Sequence, residues 1–296
     1  MAVVTRLEYI LNQKTKGIFF IISAAFCFSL MSLFVRLSGD LPSFEKSFWR
    51  NLVSIAFAIY AIEKNHISYR LENPKNLKYL FIRAIGGTIG IFCNYYAIDH
   101  LVIADANMLN KLSPFFAILF SYFVLNEKIK PVQLGFVFTA FIGALCILKP
   151  SGNFSSFPAI IGMIGGMGAG LAYTYVRKAT QNGVKGPQIV LFFSVFSCIA
   201  SMPLMLPVFV VPSPTQILYL FLAGLAAAGG QFSITAAYTY APAREISVYD
   251  YTQIIFAALL GMFLLGELPD YLSILGYFII CGAGIAMFYY NKRDDH

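Results

Sequence analysis

Apolar stretches long enough to cross a bilayer, about 20 residues each, recur along this chain at roughly 17–37, 44–62, 77–98, 104–125, 131–148, 157–177, 187–207, 215–238, 246–265 and 271–290. Their spacing predicts ten transmembrane helices joined by short links. The links leave no room for a soluble catalytic domain. The informative positions are the polar ones that interrupt the apolar runs. In "ADANMLNKLSPFFAILF", residues 104–120, the fourth span carries Asn107, Asn110 and Lys111 in its first half. A lysine near the bilayer midplane costs about 2.5–3.5 kcal/mol on insertion scales.

Composition agrees with the pattern. The apolar fraction is 58% and charged residues make up 12%, against roughly 25% charged in a soluble domain. The formal charge of +7 is informative only when read link by link. With the N-terminus inside, cytoplasmic segments hold fifteen Lys and Arg residues, and the other side holds three, Arg36, Lys46 and Lys149. That asymmetry follows the positive-inside rule and predicts both termini in the cytoplasm. The remaining cations, Arg50, Arg83 and Lys111, fall inside spans. No cleavable signal peptide is expected, because the first apolar run is a full-length span. The expected divisions are a cytoplasmic segment 1–16, a first repeat 17–152, a second repeat 153–290 and a cytoplasmic tail 291–296. Cys27, Cys93, Cys146, Cys198 and Cys281 fall in different spans without metal-ligand or CxxC spacing, so they read as packing residues.

The chain repeats itself. At a shift of 140, "FIRAIGGTIG" (81–90) falls on "FLAGLAAAGG" (221–230), Asp105 on Glu245, Phe116 on Phe256 and Glu127 on Glu267. After one inserted residue, Gly135 falls on Gly276 and Gly143 on Gly284; near the start, "FVR" (34–36) falls on "YVR" (175–177). Each copy holds five spans, an odd number, so the second enters the membrane in the opposite sense. The predicted fold is therefore all-α, ten transmembrane helices in two inverted five-helix repeats. Two such bundles facing each other suit alternating access to a site between them.

"LSPFFAILFSYFVLNEKIKPVQLGFVFTAFIGALCIL" and "DYTQIIFAALLGMFLLGELPDYLSILGYFIICGAGIAMF" resemble the two signatures of the drug/metabolite transporter superfamily, EamA family. "FWRNL" (48–52) resembles that family's arginine-bearing second helix. The resemblance implies a ten-helix exporter or exchanger of small metabolites. The "ELPD" ending is similar to a branch with carriers of amino acids, carboxylates and S-adenosylmethionine. One departure stands out: Pro114 in the first copy has Ile254 as its counterpart, so the two halves are expected to bend unequally.

Repeat symmetry breaks at the charges. Arg50 aligns with Ser194, Arg83 with Ala223, Asn110 with Asp250 and Lys111 with Tyr251. Intramembrane ionisable residues are functional candidates by default. The candidate substrate-binding residues are Arg50, Asn107, Asn110, Lys111, Gln231, Tyr238, Asp250 and Tyr251, with Arg83 and Asp250 as coupling or gating candidates. Each has a plainer reading. Lys111 and Asp250 form a structural salt bridge between halves, or a pair that opens when substrate competes. Arg50 contacts substrate, or bonds helix-end carbonyls. Arg83 snorkels toward the cytoplasm, or contacts ligand; Tyr173 is a weaker ligand candidate. Asp105 and Glu245 offset helix dipoles at N-termini, and Glu127 and Glu267 cap the helices that follow them. Arg83, Gly87, Gly90 and Asn94 share one helical face. Gly162, Gly166 and Gly170 form a ridge suited to close helix packing.

No phosphate-binding loop or metal-ligand cluster is present in the sequence, and His66, His100 and His296 lie near links or the terminus. The expectation is a secondary carrier, not an enzyme, in the plasma or inner membrane. Its partners are a small-molecule substrate and the bilayer, with no nucleic acid and no cofactor. Coupling by protons or by a counter-substrate, direction and oligomeric state are left open. Excess buried cations favour a small anionic or zwitterionic metabolite such as an amino acid, carboxylate or S-adenosylmethionine-like compound. The alternative is an exporter of organic cations or drugs using Asp250 and aromatic rings; a channel or membrane-embedded enzyme ranks below both.

Overall fold

A computed structural model describes residues 2–125, 130–148, 157–240 and 247–294, with the side chains of 1–12, 14, 238–239, 247–248 and 291–294 outside the description. The chain is all-helical: α1 (Ala2–Leu37), α2 (Ser43–Lys64), α3 (Leu77–His100), α4 (Ile103–Asn110), α5 (Ser113–Val124), α6 (Pro131–Leu148), α7 (Phe157–Gln181), α8 (Gly186–Met205), α9 (Pro214–Tyr240), α10 (Thr252–Leu260) and α11 (Tyr271–Asp294). Six of the described helical stretches are long and apolar enough to cross a membrane. The second span falls outside that set because it buries Glu45, Lys46 and Arg50. Spans four and nine do so because they are broken, and span five, Pro131–Ile147, because it is short.

The packing follows a two-fold rule. The first helix of each half lies on the third of the other, α1 on α9 and α7 on α3. The second helices pair with each other, α2 with α8, and so do the last, α6 with α11; α4 meets α10. Exchanging the halves maps this set onto itself, as an inverted repeat requires. The links repeat the rule. Asn76, before α3, donates to the Asn182 carbonyl after α7 at 2.9 Å. Gln216, at a shift of 140, donates to the Ser38 carbonyl after α1 at 3.0 Å. Both ends of the α1–α3/α7–α9 core are thus tied at once.

Glycine sets how closely the halves approach. A Cβ on Gly168 would meet the Gly86 carbonyl at 2.7 Å, and one on Gly276 would meet the Gly143 carbonyl at 2.7 Å. The ridge Gly162, Gly166, Gly170 packs against α4 and α5, where a Cβ on Gly166 would stand 2.6 Å from the Leu109 carbonyl. The ridge is therefore occupied inside the monomer.

The fourth span is not one helix, as its hydropathy suggested. α4 stops at Asn110 and α5 starts at Ser113. Pro114 has no N–H to give the Asn110 carbonyl and disfavours helical geometry at Ser113. The chain tightens locally, with Leu112 N–H bonded to Leu109 and Phe115 N–H to Leu112. In the second half, a 3₁₀ turn over Ser247–Tyr251 leads into α10. The change of winding falls at the repeat-equivalent position although Ile254 replaces proline. Span nine ends in a π-helical turn, Gly261–Leu265, closed by Gly266 at φ 67°. That left-handed residue sends Glu267 back toward the other half.

Candidate functional site

The interruption of the fourth span places Lys111, at the C-terminal end of α4, beside a small cavity between the repeats. The cavity is about 70 Å³, and its polar walls come from Arg50, Arg83, Asn94, Asn110, Lys111 and Gln231. Tyr95, Tyr173, Phe193 and Gln253 complete much of the wall. Drug-sized ligand pockets run to about 300–1,000 Å³, so the cavity as it stands is smaller than such a pocket. A larger cavity of about 290 Å³ lies among the links, between residues 65–76 and 182–188. We place the site at the smaller cavity, because that is where buried charge faces open space.

The charges there are of two kinds. Lys111 Nζ lies 2.5 Å from Asp250 Oδ2, with both side chains almost fully buried. This pair joins α4 to the turn before α10 and neutralises itself. The two arginines have no such partner. Arg50 is 2% exposed and Arg83 is 3% exposed. Among the described residues, no carboxylate lies within ion-pair distance of either. Arg50 donates to Asn51 Oδ1 at 2.7 Å, and Arg83 to Gln231 Oε1 at 3.3 Å. The Nε atoms of both, and Nη1 of Arg83, have no acceptor. Both guanidinium groups face one ring: Arg83 lies 3.6 Å from the Phe193 centroid and Arg50 lies 5.6 Å from it. Cation–π attraction offsets part of the cost of burying them. Gly87 makes this possible, since a Cβ there would stand 2.6 Å from Arg83 Nη1.

Several expected residues fall elsewhere. Asn107 is buried away from the cavity, accepting from Ser32 at 3.1 Å and Gln253 at 2.5 Å; it joins α1, α4 and α10. Tyr251 turns into an apolar cluster and packs on Gly284. The side chain of Tyr238 lies outside the described residues, as do Glu127 and Glu245. Arg83 stands on the cavity wall, bonded to Gln231 and facing the Phe193 ring. Asp105 accepts from Tyr277 at 2.6 Å and Ser273 at 3.1 Å, so it fastens α4 to α11 as well as facing a helix start.

Glu267 caps a helix, but not the one that follows it. Its Oε2 accepts from Ile103 N–H at 2.9 Å, at the start of α4, and its Oε1 pairs with Arg36 at 2.5 Å. Sequence reasoning also missed Lys46, taken as a link residue. It is fully buried and paired with Asp99 at 2.6 Å.

Two segments, residues 15–149 and 156–290, each match the EamA-like transporter family. The chain belongs to that family. This EamA-like chain is 30% identical over 282 residues to the pseudopaline exporter CntI of Pseudomonas aeruginosa, covering 94% of this chain and 98% of the relative. It is 23% identical to the S-adenosylmethionine uptake transporter of Rickettsia prowazekii, over 90% of this chain and 93% of that one. The riboflavin transporter of Rhizobium johnstonii is also 23% identical, over 96% and 94%. A solved crystal structure superposes with a TM-score of 0.69 at 17% identity, covering 95% of this chain and 99% of that one, a likeness of fold alone. The EamA-like chain is a multi-pass membrane protein of a transporter family, and its relatives carry small molecules.

Proposed function

We propose that this EamA-like protein is a secondary carrier that moves a small anionic or zwitterionic metabolite by alternating access. The observation that carries the reading is the pair of buried guanidinium groups, Arg50 and Arg83, facing a cavity between the repeats without a carboxylate partner among the described residues. A buried unpaired charge is costly, and an acidic substrate group supplies the missing partner. Asn110 and Gln231 stand beside them as polar contacts, and Lys111, on the same wall, is tied to Asp250 of the other half. The exchange-symmetric packing supports two bundles that rock about a central site. Relatives are named as both exporters and uptake carriers, so direction is not transferred from them.

In this reading the repeats occupy 17–152 and 153–290, and the termini are cytoplasmic. The protein moves its substrate without altering it. Purified protein in liposomes should show saturable counterflow of labelled amino or carboxylic acids. Leak that rises linearly with concentration, with no counterflow, would sink the carrier reading.

A further inference from the structure

The cavity's charges do not balance, and the imbalance names a substrate class. Arg50, Arg83 and Lys111 line it, and Asp250 neutralises only Lys111. We propose that the substrate is a net dianion whose two acid groups bind Arg50 and Arg83 beside Phe193, while Lys111 and Asp250 stay bound to each other. This rests on the carrier reading above.

Three observations support it. First, a neutral zwitterion would leave two positive charges buried in a low-dielectric site, whereas a dianion leaves none. Second, the unmatched groups are donors of the right kind. Arg50 Nε and Arg83 Nε and Nη1 have no acceptor, and guanidinium edges pair with carboxylate or phosphate through parallel N–H bonds. Tyr95, also on the wall, keeps a buried hydroxyl without a partner, a further donor for an acid group. Third, both cations lie near the same Phe193 ring, at 3.6 and 5.6 Å from its centroid, so one substrate entering the cavity meets both guanidinium groups. Gly87 keeps this arrangement open, because any side chain there would collide with Arg83 and Phe193.

The test uses the full chain in liposomes and a panel of labelled probes: linear dicarboxylates from succinate to pimelate, their monocarboxylate analogues, and the neutral amino acids alanine and leucine. At least one dicarboxylate should exchange in counterflow about tenfold or more faster than its monocarboxylate analogue. Arg50→Gln and Arg83→Gln should each lower the ratio of dicarboxylate to monocarboxylate exchange toward one, whatever the fall in absolute rate; Arg83→Lys should restore part of that ratio. Gly87→Ala should also reduce the preference. Thermal unfolding in detergent checks that each variant is folded. Saturable exchange of neutral amino acids without dicarboxylate exchange overturns the dianion assignment and leaves the carrier reading intact. A preference unchanged in both Gln variants overturns it as well. Leak without counterflow for every probe overturns both.

Discussion

Lys111 Nζ and Asp250 Oδ2 stand 2.5 Å apart, one from each repeat, with side chains 4% and 3% exposed. The lysine that looked anomalous in an apolar span is thus one half of a clamp. Its position depends on the interruption before Pro114, which ends α4 at the cavity.

Removing one member leaves a buried charge alone. Lys111→Met or Asp250→Asn should therefore destabilise the protein by about 3–5 kcal/mol. The double variant should recover most of that loss, since replacing both partners of a buried pair is often close to neutral. Thermal unfolding of the four proteins in one detergent checks the cycle. Additive losses in the double variant would show that the two residues do not act as a pair.

The apolar spans, the repeat and the presence of Arg50, Arg83, Lys111 and Asp250 within those spans were legible in the sequence because they depend on local order along one chain. Contacts between helices were not. Lys46 reads as a link residue until α2 and α3 pack and Asp99 arrives beside it. Tyr251 was expected beside the substrate; it packs in an apolar cluster, at the end of a 3₁₀ turn that the apolar pattern of span nine does not announce. Glu267 belongs to the same class: its cap lies on α4, in the other repeat.

Pro114→Ala returns an N–H to the Asn110 carbonyl and lets α4 run into α5. A continuous helix would carry Lys111 out of its present alignment with Asp250. The expected result is a protein that expresses normally but transports several-fold more slowly. Transport at wild-type rate would show that the interruption plays no part in the cycle.

Close packing of α3 on α7 gives a paired test of glycine. Gly168→Ala places a methyl group 2.7 Å from the Gly86 carbonyl, a clash worth about 1–3 kcal/mol. A Cβ on Gly135 meets nothing within 4 Å, and alanine there should stabilise α6 by about 0.5–1 kcal/mol through helix propensity alone. Unfolding temperatures should move in opposite directions. A shift of the same sign at both positions would contradict the packing described for α3 and α7.

Glu267 does two things at one end of the bundle, and two substitutions separate them. Its charge pairs with Arg36, whose guanidinium also donates to the Leu101 carbonyl at 2.8 Å. Its second oxygen caps Ile103 N–H at the start of α4. Glu267→Gln removes the charge but keeps an oxygen able to accept from Ile103. Glu267→Ala removes both and leaves a helix start without its acceptor, a loss of about 0.5–2 kcal/mol. The ion pair is partly exposed and contributes about 1 kcal/mol or less. Stability should therefore fall in the order wild type, Gln, Ala, with the larger step between Gln and Ala. Raising the salt concentration should narrow only the first step, because screening weakens the ion pair and leaves the neutral cap bond nearly unchanged. Equal stability of the Gln and Ala variants would assign the whole effect to the charge and remove the cap from the account of how α4 is held.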